Sequence, residues 1–248
     1  NAALASYDFL NCDNKKRDLY TGINVGFSTF CTSKDSVYSF IDDVISEIVE
    51  LYPGPYFHMG GDESDATEEK DYLIFVERVQ KIIAKKGKSM IGWGEVATTN
   101  LDATSIPQIW RSKDNAIKAQ EQGNRVILSP AERCYLDMKY DSTTALGLNW
   151  AGYIEVDHAY NWKPEEYFPG LEKSSILGIE CPLWSETITN LSEMEHMVFP
   201  RLPGYAEIGW SLDKNRDWDK YKERLAIHGK RLDLMEINYY RSALVPWK

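Results

Sequence analysis

The chain has 248 residues, 43% hydrophobic and 12% aromatic, which is enough apolar material for one domain with a full core and too much for a disordered chain. The formal net charge is −10 and no basic run stands out, so nucleic acid and anionic membranes are poor partners. No apolar stretch approaches the ~20 residues of a membrane helix.

Taken in chain order, the first feature is a pair of cysteines, Cys12 and Cys31, flanking the polar, Gly-containing loop "CDNKKRDLYTGINVGFSTFC". A disulfide would close that loop in an oxidising compartment, and the spacing fits no common zinc pattern; two unrelated thiols remain the alternative. The apolar spacing of "SVYSFIDDVISEIVEL" predicts a helix over Ser36 to Leu51, stopped by Pro53-Gly54. "YFHMG" reads as a short buried strand. Asp71 to Lys86 reads as a second helix, and "SMIGWG" as a strand from Ser89. "IPQIW" is a strand ending at Trp110, "AIKAQEQG" a helix stopped by Gly123, and "RVILSP" another strand. After an aromatic-rich insert comes the strand "ILGIECPLW", and "WDKYKERLAIHGKRLDLMEI" is a terminal helix.

Strands alternating with helices indicate βαβ units and a parallel sheet. Polar or aromatic clusters follow the strand candidates: Asp62-Glu63, Trp93, Trp110, Asp137, and Trp184 with Glu186. Such residues at the C-terminal ends of successive strands are the layout of an α/β protein of the (β/α)8 TIM-barrel type, of which about five strands are legible against the eight required. Eight Trp and fifteen Tyr are many for this length. They serve equally as core or as flat faces for sugar rings, and composition alone leaves both open.

In "YFHMGGDE" two glycines precede two adjacent carboxylates. Neighbouring side chains of a strand point to opposite faces, so Asp62 and Glu63 serve one site only where the strand ends and the backbone bends. Gly60-Gly61 permits that bend. Two carboxylates held in a partly apolar pocket cannot both ionise freely, and the one pushed up becomes a proton donor near neutral pH. The alternative is a turn with two solvated acids. A metal reading of Asp62, Glu63, Asp65 and His58 lacks a second cluster to complete a cage, so no metal is expected.

"HMGGDE" resembles the His-x-Gly-Gly-Asp-Glu motif of glycoside hydrolase family 20, the β-N-acetylhexosaminidases. "NAALASY", "LYTGINVGFSTFC", "GWGE", "YLDMKY", "WAGYIEV", "PLWSET" and "FPRLPGYAEIGW" resemble segments of its bacterial members in the same order. The resemblance covers nearly the whole chain. It implies a retaining, substrate-assisted hydrolysis of terminal β-linked N-acetylhexosamine through an oxazolinium intermediate, with no cofactor. By motif position, Glu63 would be the general acid and then base. Asp62 would hold the acetamido N–H, and Tyr135 would donate to the acetamido oxygen. Trp93, Trp110 and Trp184 would wall the acetamido methyl. Asp137 and Glu186 would bind sugar hydroxyls, and Trp150 would lie along the edge. His58 reads as a structural hydrogen-bonder, "FPRLPGYAEIGW" as a packing segment, and Cys134 and Cys181 as reduced, buried thiols. The Cys12–Cys31 pairing implies a secreted or extracytoplasmic protein.

The family's barrel begins upstream of "NAALASY". The chain, which opens at Asn1 without Met, is therefore expected to hold the C-terminal portion, about strands 4 to 8. The sugar-gripping arginine and the His/Asp pair that supports the acid would lie in the missing strands. Either an upstream fragment or a second copy is expected to complete the barrel, and the isolated chain to turn over little substrate. The alternative is a non-catalytic carbohydrate-binding fragment that keeps the acetamido pocket. Partners in either case are N-acetylhexosamine-containing oligosaccharides or glycoconjugates.

Overall fold

The computed structural model describes residues 1–248. The chain divides into two compact units, Asn1–Val126 and Ile127–Lys248.

The first unit opens with a short helix, α1 (Ala2–Ser6), and the loop closed by a Cys12–Cys31 disulfide. Helix α2 (Asp35–Leu51) leads into strand β1 (Tyr56–His58). Helix α3 (Glu69–Lys85) returns the chain to β2 (Ser89–Trp93), and β3 (Ile106–Ile109) is followed by α4 (Lys113–Glu121). The three strands are parallel and adjacent. Phe57 lies beside Met90 and Trp93 beside Gln108. Helix α3 begins two residues before the expected start, and Glu69 and Asp71 place negative charge in its first turn, where the helix dipole favours it.

The core of this unit joins helix to strand. Ile45 of α2, Val76, Val79 and Ile83 of α3, Met90 of β2 and Val96 form one buried cluster. Burying each such side chain contributes about 1.5–3 kcal/mol, so this cluster is the main anchor of α2 and α3 on the sheet. One polar residue of α3 is buried too. Gln80 on α3 accepts from the Ser105 hydroxyl at 2.8 Å and from the Asp102 amide at 3.0 Å, fixing the loop that feeds β3.

The second unit contains β5 (Ile176–Ile179), hydrogen-bonded to its neighbour β4 (Val126–Leu128) through Glu180 N–H donating to the Leu128 carbonyl at 3.0 Å. Helices α5 (Ala131–Cys134), α6 (Val156–Tyr160) and α7 (Pro164–Tyr167) lie between these strands in sequence. Helices α8 (Leu191–Val198), α9 (Arg201–Trp210) and α10 (Trp218–Leu234) follow β5. The packing expected of "FPRLPGYAEIGW" is present: Gly204 on α9 lies close against α10, where a Cβ would stand 3.0 Å from the Tyr221 hydroxyl and would force a small shift.

That segment also carries a polar device. Arg201, 1% exposed, donates to the carbonyls of Leu136, Met138, Ile154 and Met197 at 2.6–3.2 Å. Its guanidinium lies over the Tyr140 ring, 4.0 Å from the centroid. Cys134 is buried and free, as expected. Cys181 is also free but only half-buried, because it lies beyond the end of β5. No helix is long and apolar enough to cross a membrane.

Candidate active site

In the first unit the site begins where β1 ends. The backbone enters the left-handed region at Gly60 (φ +77°), Gly61 (φ +99°) and again at Glu63 (φ +48°). Glycine tolerates this region; glutamate does so at a cost of order 1 kcal/mol, which marks a position held by its surroundings. Those surroundings are close: a Cβ on Gly61 would stand 2.9 Å from Val96 Cγ1. The ladder continues beneath the bend, with Trp93 N–H donating to the Gly60 carbonyl at 2.9 Å.

The bend leaves both carboxylates half-buried. Desolvation pushes the Asp62 carboxyl above its usual range, opposed by its own backbone amide and by the neighbouring His58 and Arg111. The Glu63 carboxyl is also pushed up, first by desolvation and then by the charge of Asp62. Burial is the first cause of both shifts, and the charge of Asp62 adds to that of Glu63.

His58 has the structural role expected of it. Its Nδ1 accepts from the Gly60 amide at 3.0 Å, and its ring meets Trp93 edge-on at 5.4 Å. One face keeps contact with solvent, yet enough protein surrounds the ring that desolvation lowers its pKa, opposed by a hydrogen bond with Gln108. Trp93 and Trp110 are nearly covered. Two neighbours carried no role in the sequence reading. Glu95, in the turn Gly94–Thr98, accepts from Trp110 Nε1, and Arg111 stands over the Trp110 ring. Glu95 lies in the quoted "GWGE"; an acid two residues beyond a strand-end tryptophan was the available signal.

In the second unit Tyr135 caps the C-terminus of α5 and is buried. Trp150 and Trp184 each approach it edge-on at 5.9 Å. Trp150 is 57% exposed, as an edge residue should be. Asp137, two residues on, is 2% exposed, and its carboxylate oxygens have no well-formed hydrogen bond, only the nearby backbone amides of Asp137 and Trp184. Burial pushes its pKa up to about 6, and the amides of Asp137 and Trp184 only partly offset that. The exposed Glu186 adds negative charge in the same direction, and Arg201 opposes it. A buried carboxylate with unfilled acceptors is costly unless a ligand supplies donors. The structure thus gathers Asp62, Glu63, Trp93 and Trp110 in one group, and Tyr135, Asp137, Trp150, Trp184 and Glu186 in another.

Comparison with known proteins identifies the family. The family model "Glycosyl hydrolase family 20, catalytic domain" matches residues 1–213. A β-N-acetylhexosaminidase from Cellulomonas fimi is 38% identical over 250 residues, covering 100% of this chain and 50% of that protein. A solved family 20 β-N-acetylhexosaminidase from Streptomyces coelicolor A3(2) superimposes with a TM-score of 0.96 at 46% identity, covering 100% of this chain and 51% of the other. The N-acetyl-β-hexosaminidase of Streptomyces plicatus gives a TM-score of 0.96 at 46% identity, over 100% of this chain and 51% of that one, in a mutant complexed with the product GlcNAc. The chain spans about half the length of these relatives. The fold is accordingly α/β of the (β/α)8 barrel type, represented here by five strands. By its family match and its likeness to these proteins along its whole length, the chain belongs to glycosyl hydrolase family 20.

Proposed function

We propose that this chain carries the acid and the acetamido-recognition residues of a β-N-acetylhexosaminidase, which removes terminal, non-reducing β-linked GlcNAc or GalNAc with retention of configuration. The substrate's 2-acetamido oxygen attacks the anomeric carbon as the glycosidic C–O bond breaks. Glu63 gives its proton to the leaving oxygen. Asp62 accepts from the acetamido N–H and stabilises the positive charge that develops on the oxazolinium ring. Glu63, now ionised, takes a proton from the water that opens that ring. Tyr135 donates to the acetamido oxygen, a positioning of the kind that contributes several kcal/mol to a barrier. Trp93, Trp110 and Trp184 enclose the acetamido methyl. Asp137 and Glu186 accept from sugar hydroxyls, and Trp150 lines the edge.

One observation carries the reading most directly. Glu63 is the non-glycine residue of the Gly-Gly-Asp-Glu bend held at positive φ, and its carboxyl is pushed up beside Asp62. A carboxyl pushed above its usual range is better suited to give a proton than a free glutamate, and a second carboxylate beside it can stabilise developing positive charge. The GlcNAc held by the S. plicatus relative supports the sugar, and the Cys12–Cys31 disulfide supports a secreted or extracytoplasmic protein. The test is release of nitrophenol from an aryl β-N-acetylglucosaminide by the full-length protein. Turnover suppressed by Glu63→Gln sustains the proposal. Binding of GlcNAc with no turnover would replace it with the carbohydrate-binding alternative.

A further inference from the structure

The proposed mechanism assigns no work to Glu95, although it touches Trp110 and its charge reaches Glu63. It lies in the turn after β2, which the fully buried Val96 and Ala97 anchor. Both of its carboxylate oxygens lie 3.1 Å from Trp110 Nε1. An indole has one N–H to give, so one acceptor would satisfy it; here two oxygens straddle it. Arg111 completes the arrangement. Its guanidinium sits 4.0 Å from the centre of the Trp110 ring and 3.7 Å from Glu95 Oε1. The indole is held at its edge by an anion and on one face by a cation that is itself drawn toward that anion. Rotating the ring about its Cβ–Cγ bond would break both contacts.

We propose that Glu95 is a positioning residue for the sugar's N-acyl group: with Arg111 it fixes the plane of Trp110, and so the room beside the acyl carbon. This rests on the proposed role of Trp110 as a wall of the acetamido pocket. The chemistry decided by this clamp is acyl length. A rigid aromatic wall admits an acetyl methyl and rejects one further methylene, a discrimination generally worth about 10- to 200-fold. A wall free to swing admits both.

The test uses the full-length protein and two readouts. The first is the indole N–H of Trp110 in a 15N spectrum, assigned by its loss in Trp110→Phe. Glu95→Ala should shift this resonance and speed its exchange with solvent, while Glu95→Gln, which keeps one acceptor, should largely preserve it. The second is the ratio of kcat/KM for aryl N-acetyl- over N-propanoyl-β-glucosaminide. Glu95→Ala should reduce that ratio at least about threefold, out of the discrimination a rigid wall gives. Glu95→Gln should retain it, and Glu95→Ala should add nothing in a Trp110→Phe background. An unmoved resonance in Glu95→Ala overturns the clamp. A moved resonance with an unchanged ratio, both substrates slowing equally, overturns the positioning role. Absence of turnover in the unmutated protein overturns the proposed function instead; the ratio is then read from the affinities of N-acetyl- and N-propanoylglucosamine, with the same two outcomes.

Discussion

The Tyr72 hydroxyl donates to the carbonyl of Gly61 at 2.6 Å, tying helix α3 to the bend that presents Asp62 and Glu63. Val96, in the turn after β2, is close as well: a Cβ on Gly61 would stand 2.9 Å from Val96 Cγ1 and 3.3 Å from the Tyr72 hydroxyl, so both elements crowd the bend.

Tyr72→Phe removes the tie to Gly61 without altering the volume of the ring. The Gly61 carbonyl loses its partner, which should lower stability by about 1 kcal/mol. Urea unfolding measures that loss. Because the bend aims the acid, kcat should fall several-fold while KM changes little. A fall in stability with kcat untouched would mean that the bend holds its shape without Tyr72.

That a bend follows the strand was legible in the sequence, because Gly60 and Gly61 permit the positive φ they adopt; that it serves a site rather than a solvated turn came only with the family motif. The positive φ of Glu63 was not legible, since nothing in a glutamate announces it. The distinction recurs elsewhere. Helix α2 follows from the spacing of Val37, Ile41 and Ile45, a local pattern. The work of Arg201 does not, because the carbonyls of Leu136 and Met138 lie 65 and 63 residues away along the chain. Glu95 and Trp110 are 15 residues apart, joined only because β2 and β3 are neighbours. Periodicity reports which face is apolar; it cannot report which distant polar group that face meets.

Asp137 couples stability to pH. Its folded pKa of about 6 exceeds the ordinary 3.8, so the folded protein keeps a proton that the unfolded chain releases. The stability associated with that proton is complete below pH ~4 and is lost as pH rises through 6. The loss is roughly 3 kcal/mol by pH 7, reduced by whatever water reaches the carboxylate. Asp137→Asn should therefore be more stable than the natural protein at pH 7.5 and nearly equal to it at pH 4, as judged by urea midpoints. It should also bind GlcNAc more weakly, having exchanged an acceptor-only group for a mixed one. A pH-independent difference between the two proteins would contradict the burial of an ionised Asp137.

The Cys12–Cys31 bond spans a separation of 19 residues. Chain-entropy arguments put its contribution near 3 kcal/mol. Thiol titration in denaturant should find two free groups, Cys134 and Cys181, rising to four on reduction. Cys31→Ser should lower the melting temperature of the protein by several degrees. Four thiols before reduction would remove both the bond and the argument for an oxidising compartment.

The acid itself is tested by varying what it protonates. A poor leaving group, such as the alkoxide of a second sugar, needs a full proton in the transition state; a dinitrophenolate needs almost none. Glu63→Gln should therefore slow hydrolysis of a GlcNAc disaccharide by at least about 1,000-fold, and that of a dinitrophenyl glycoside far less. The pH profile carries the same information independently. The natural protein should lose kcat/KM as pH rises past the elevated pKa of Glu63, because the donor is then ionised. In Glu63→Gln that alkaline limb should vanish for the dinitrophenyl substrate, while the acidic limb, where Asp62 takes up a proton, should remain. Two limbs surviving in the variant, or equal losses for both leaving groups, would assign the proton to another residue.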